Sequence, residues 1–198
     1  IHGCFSTVFE QAGPEEFLVL TVMQRNFSVG TPLTFYDAGY FSELGRATVV
    51  ALEELQDAAL VETAKKMAAV MKTRNNPIGK LYKVKLDRAV QASKYTLVGS
   101  PELCGKGFIV RSNYFHDGIA RGILIDGSAE GLIEQNRTER TGMPGILIQP
   151  DLYWLEGPLP YGITVRSNTI IEALGMLTSF APASGPLGAI TVLLGLPA

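Results

Sequence analysis

Apolar and polar positions alternate in short runs over the first fifty residues. Cys4–Glu10, Phe17–Gln24, Pro32–Tyr36 and Ala47–Leu52 read as strands, and turn residues separate them at Ala12-Gly13-Pro14 and Val29-Gly30-Thr31-Pro32. From Leu52 the spacing changes. Leu52, Leu55, Ala59, Met67 and Met71 recur at near-helical intervals, with Glu53, Glu54, Lys65 and Lys66 elsewhere, which predicts a helix to Lys72 that Arg74-Asn75-Asn76-Pro77 stops. Its Met and Leu stripe is expected to pack on its own domain, with partner binding the less favoured use. Leu81–Leu86 returns to strand, placing Tyr82, Val84 and Leu86 on one side and Lys83 and Lys85 on the other.

After Gly105 the chain repeats. Val110-Arg111-Ser112-Asn113-Tyr114-Phe115, Ile133-Glu134-Gln135-Asn136-Arg137-Thr138 and Val165-Arg166-Ser167-Asn168-Thr169-Ile170 share one template: a β-branched residue, a charge, a small or polar residue, then Asn. A second template, Gly122-Ile123-Leu124-Ile125 and Gly145-Ile146-Leu147-Ile148, recurs at the interval of 23 that also separates Asn113 from Asn136. Two motifs locked to one period define a structural rung of that length. Asn136 and Asn168 are 32 apart, and the extra residues fall in the loop-like excursion Pro150-Asp151-Leu152-Tyr153-Trp154-Leu155-Glu156-Gly157-Pro158.

Short strands and a turn Asn in each rung predict an all-β chain, a right-handed parallel β-helix (solenoid). The whole of 1–198 is expected to be one segment of it, truncated at both ends, with a helical insertion near 52–72 that closes by 76. Leucine-rich repeats have a similar period, but their Leu-x-x-Leu-x-Leu run is missing. Stacking sets Asn113, Asn136 and Asn168 in a structural ladder, with amides spaced about 4.8 Å apart. The same register puts Arg111, Glu134 and Arg166 in one column, where opposite charges on neighbouring rungs attract. Glu134 is therefore read as a column partner before it is read as a catalyst. Asn136-Arg137-Thr138 is a formal glycosylation sequon that belongs to the ladder, and Asn26-Phe27-Ser28 is the better acceptor in a secreted protein.

Composition narrows the function classes. Of 198 residues 46% are apolar and 18% charged, which excludes global disorder. Seventeen basic against nineteen acidic side chains give a net charge of −2, and no basic block offers a phosphate footprint, so no nucleic-acid partner is expected. No apolar stretch approaches the roughly 20 residues of a membrane span. Cys4 and Cys104 lack zinc spacing and read first as two buried thiols, with pairing the alternative. With His2 and His116 as the only histidines, neither a metal site nor a cofactor is expected.

The candidate chemistry lies on residues that break the repeat. No Gly-rich phosphate loop, Gly-x-Ser-x-Gly elbow or Cys/His nucleophile spacing is present. Parallel β-helices commonly act on polysaccharides, which is an argument from fold alone. Tyr153 and Trp154 beside Glu156 supply what a sugar site needs, a ring face for stacking and an acceptor for hydroxyls; a Trp154 that caps a rung is the competing reading. Arg121 opens the second template where the next rung carries Pro144, so its charge is not a ladder charge. The expected substrate-binding set is His2, Arg121, Tyr153, Trp154 and Glu156. Asp151 and Glu156 are the carboxylates expected to face the groove, without an assigned catalytic role.

Ile1-His2-Gly3, Gly30-Thr31-Pro32-Leu33-Thr34-Phe35-Tyr36, Asn113-Tyr114-Phe115 with Ala120-Arg121-Gly122-Ile123-Leu124-Ile125, Gly145–Ile148 and Pro150–Pro158 follow one another along the chain. In that order they resemble the β-helix glycosidases of glycoside hydrolase family 110, which cleave terminal α-1,3-linked galactose. The resemblance covers most of the chain except the Leu52–Lys72 helix and the tail after Leu177. It implies an inverting hydrolase of terminal α-galactosides or related glycans, with an acid and a base across roughly 6.5–9.5 Å. It also implies an aspartate pair just before Ile1-His2-Gly3, so that an essential part of the catalytic apparatus is expected upstream. A secreted or extracytoplasmic monomer with a carbohydrate partner is the matching expectation. A non-catalytic β-helix used for carbohydrate binding or surface structure, and a pectate-lyase-like polysaccharide-degrading enzyme, remain open beside it.

Overall fold

The computed structural model describes residues 6–21, 28–70, 80–150, 157–176 and 187–193. The chain divides into two compact units, Ile1–Cys104 with Asp151–Pro158 and Leu196–Ala198, and Gly105–Pro150 with Leu159–Gly195. Strand dominates both.

In the first unit β1 (Ser6–Gly13) turns through Pro14 and Glu15 into β2 (Glu16–Thr21). A two-residue connection is far too short for a parallel crossover, so the pair is antiparallel. The remaining strands are β3 (Pro32–Tyr36), β4 (Glu43–Glu54), β5 (Leu81–Leu86) and β6 (Leu97–Gly99). They complete a closed antiparallel barrel in the order β1-β2-β5-β4-β3-β6, with β6 pairing back on β1. Closure gives every strand a neighbour on both sides. Val8, Phe17, Val19, Leu33, Phe35, Val49, Val84, Leu86 and Val98 fill the interior, and the Phe17 and Phe35 rings meet at 5.3 Å. The expectation of a single parallel stack over 1–198 therefore does not describe residues 6–99.

Helix α1 (Ala58–Val70) connects β4 to β5. It starts later than the spacing predicts, because β4 runs on as strand to Glu54 and the Asp57 carboxylate then caps the helix. Asp57 Oδ1 accepts from the backbone N–H of Ala59 and of Leu60, each at 2.9 Å. Leu60, Val61 and Ala64 pack on Phe9, Leu20 and Leu81, a second apolar cluster of the same unit. The Arg74–Pro77 stop and Cys4, on which any pairing with Cys104 turns, lie outside the described residues.

The second unit is built differently. β7 (Ile109–Arg111), β10 (Leu132–Glu134) and β13 (Thr164–Arg166) form one parallel sheet. β8 (Tyr114–His116), β11 (Arg137–Thr141) and β14 (Thr169–Ala173) form a second, and β9 (Ile123–Ile125), β12 (Ile146–Ile148) and β15 (Ile190–Val192) a third. Each successive length of chain thus gives one strand to every sheet. Ile133 sits opposite Val110 and Val165, and Ile146 opposite Ile123 and Ile190. Ile123, Ile125, Ile133, Ile146 and Ile148 make the core.

Bends recur in register. Gly107, Glu130 and Gly162, then Ser112, Gln135 and Ser167, then Asp117, Arg140 and Glu172 all take positive φ, between 51° and 70°. The glycine of the second template has a steric cause: a Cβ on Gly122 would stand 2.6 Å from the Gly145 carbonyl oxygen, and one on Gly145 2.5 Å from Thr138 Oγ1.

Candidate functional site

The asparagines of the first template join successive strands. Asn136 Oδ1 accepts from the backbone N–H and the side-chain amide of Asn113, both at 3.0 Å. Asn168 Oδ1 accepts in the same way from Asn136, at 3.0 and 2.9 Å. Asn136 is 2% exposed and its amide also donates to the Val110 carbonyl, so the formal sequon at this position is occupied by structure. Asn26 of the other sequon lies outside the described residues.

Glu134 stands between two arginines. Arg111 Nε donates to its Oε1 at 2.5 Å and Arg166 Nε to its Oε2 at 2.6 Å. Hydrogen bonds from Arg166 and then Arg111, against the opposing effect of burial, hold the Glu134 carboxyl below the usual glutamate range. A carboxylate saturated by two guanidiniums carries no proton to donate.

A second charged constellation covers the outward face of β8 and β11. Phe115 points to the core, so its neighbours Tyr114 and His116 point outward, their rings stacked at 4.5 Å. Arg137 lies over the Tyr114 ring at 5.7 Å and donates to Glu139 Oε2, which also accepts from the Tyr114 hydroxyl at 3.0 Å. Arg140 contacts Glu139 and grips Asp117 through two nitrogens, at 2.5 and 3.0 Å. His116 Nδ1 meets Asp117 Oδ2 at 2.6 Å. Asp117 falls below the usual aspartate range through its hydrogen bond from Arg140 and then from His116. An ionised Asp117 makes Nδ1 the protonated ring nitrogen in neutral His116, which leaves Nε2 as an acceptor.

Beside this face is a cavity of about 360 Å³ lined by Tyr114, Phe115, His116, Gly118, Arg121, Gly122 and Thr141. Arg121 is half-buried, and its Nε is shielded from solvent with no hydrogen-bond partner among the described residues. Of the residues expected from sequence to bind substrate, Arg121 is the one the described structure places, in a cavity wall. His2, Tyr153, Trp154 and Glu156, together with Asp151, lie outside the described residues. Tyr114, His116, Asp117, Glu139 and Arg140, which the structure gathers on this face, carry no functional assignment from sequence. A signal was present, since Asp117 and Arg140 are separated by the same 23 residues as Arg111 and Glu134.

Among the described residues there is no group of three or more His, Cys, Asp or Glu able to hold a metal ion. No helix among them is long and apolar enough to cross a membrane. No protein-family model matches the chain, and no curated protein matches it.

Proposed function

We propose that residues 105–193 are rungs of a right-handed parallel β-helix whose β8–β11 face holds a glycan. On this reading the protein is an inverting glycoside hydrolase of terminal α-galactosides or related glycans. One observation carries it: the cavity at β8 combines exposed stacked rings with a half-buried guanidinium whose Nε has no partner among the described residues. Rings give a sugar its stacking surface, and an unmet donor gives it an oriented hydrogen bond. The order of motifs along the chain, set out above, supplies the galactoside part of the reading.

Asp117, Glu134 and Glu139 position neighbouring side chains; they do not supply the acid. Asp117, Glu134 and Glu139 are all held ionised by arginines. An inverting pair needs one carboxyl protonated and one not. The pair is accordingly drawn from other carboxylates, with Asp151 and Glu156 the candidates in this sequence. That same observation favours the second reading, a carbohydrate-binding module without catalysis.

Proton NMR on a panel of terminal α-galactosides tests both. Hydrolysis with inversion releases β-galactose first. Binding without release selects the binding module, and neither binding nor release by any member of the panel, polygalacturonate included, overturns the glycan reading.

A further inference from the structure

The arginines of this protein keep a consistent habit. Among the described residues Arg46, Arg88, Arg111, Arg137, Arg140 and Arg166 each have a carboxylate oxygen within 2.9 Å. Arg121 is the exception. It is more enclosed than several of them, and its shielded Nε has no hydrogen-bond partner among the described residues. The cavity it lines contains no acidic side chain: its polar walls are Tyr114, His116 and Thr141. The Tyr114 hydroxyl already donates to Glu139 and the Thr141 hydroxyl to the Met143 carbonyl. With both hydroxyl protons spent, the described lining offers the Arg121 guanidinium as its positive charge and no acidic side chain to balance it. A partly desolvated charge without a counter-charge costs stability, and folds keep it where a ligand provides the missing partner.

We propose that this cavity is an anion subsite that takes the carboxylate of an acidic sugar, a hexuronate unit of the glycan, on Arg121. The inference rests on the glycan reading of the same face and names its substrate class. A carboxylate is planar and matches the guanidinium fork with two parallel hydrogen bonds, which a hydroxyl cannot do. His116, stacked on Tyr114 at the cavity wall, is placed to add a second donor when protonated. The stacked rings receive the sugar ring, and Arg121 fixes its C6 end. Neutral galactose has at C6 a hydroxyl, so the cavity discriminates between two sugars that differ at that one carbon.

The test compares methyl α-galacturonide, methyl α-galactoside and galactose 6-sulfate by calorimetric titration of the full chain, with acetate as a control lacking the ring. The uronide is expected to bind more tightly than the neutral galactoside by about tenfold or more, the worth of one charge-assisted pair. Arg121→Gln should erase that advantage by weakening the uronide far more than the neutral sugar, and Arg121→Lys should restore part of it. Because no carboxylate among the described residues pairs with the wild-type side chain, Arg121→Gln without ligand should unfold at the same temperature or higher. Equal affinity for the two galactose derivatives, uronide binding that survives Arg121→Gln, or a lowered unfolding temperature in that variant each overturns the inference. A 6-sulfate that matches the uronide overturns the carboxylate assignment. Acetate as tight as the uronide overturns the sugar and takes the glycan reading with it. Absence of galactoside hydrolysis with selective uronide binding intact removes the hydrolase alone.

Discussion

The barrel and the three parallel sheets solve the same problem with different information. In the barrel, pairing follows an order, β1-β2-β5-β4-β3-β6, that no sequence period encodes, and large apolar side chains such as Phe17 and Phe35 do the filling. In the parallel unit each strand lies beside its own repeat, and polar columns fix the register: Asn113 on Asn136 on Asn168, and Arg111 with Arg166 on Glu134. A slip by one residue in the barrel exposes a core face. A slip in the parallel unit also breaks amide and ion-pair contacts. Apolar shape specifies the first region, and polar periodicity shares the task in the second.

If that contrast is right, the largest loss comes from emptying the barrel. Phe35→Ala removes a ring that is 1% exposed and packed on Phe17, and should destabilise by about 3–5 kcal/mol in urea unfolding. Hydrogen exchange at β3 and β4 should accelerate with it. Ile146→Ala in the parallel core leaves a space between Ile123 and Ile190 and should cost about 2–5 kcal/mol by the same measurement. A polar substitution then sharpens the comparison. Asn136→Ala strips an acceptor from Asn113 and a donor from Val110 and Asn168, and should cost about 1–3 kcal/mol, with faster exchange at the Asn113 amide. An equal loss from a solvent-facing barrel residue, such as Lys85→Ala, would erase the distinction.

The smallest effect is a pH dependence. Glu134 titrates below its ordinary 4.5 in the folded protein, so the unfolded chain takes up the proton first as pH falls. Its contribution to stability is complete above pH 4.5 and is lost below it, as pH passes toward the lower folded value. Glu134→Gln should flatten this part of the stability profile, measured by thermal unfolding between neutral and acidic pH.

What could be read in the sequence follows the same divide. The Asn and Arg–Glu–Arg columns were legible because stacking writes its contacts at one interval. Barrel closure was not, since β6 is only Leu97–Gly99 and β4 extends over Glu43–Glu54. The helix was visible by its spacing, but its start was set by a single capping carboxylate on Asp57. Arg121 stood out because the next rung replaces it with Pro144. The charged face around it did not, because Tyr114 over Arg137 and His116 over Glu139 pair unlike residues. Self-similarity finds ladders; complementarity between neighbouring rungs leaves no repeated letter.

The nine left-handed corners carry a consequence of their own. Three columns keep one backbone bend while their side chains vary freely: Gly, Glu and Gly in the first, Ser, Gln and Ser in the second, Asp, Arg and Glu in the third. Bend and decoration are thereby uncoupled. A lineage could rewrite the charge along a corner, as the Asp117 and Arg140 pair already does beside the cavity, while the isoleucine core behind it stays as it is. Variation in such a scaffold costs least at these corners, which makes them the natural ground for new surface chemistry.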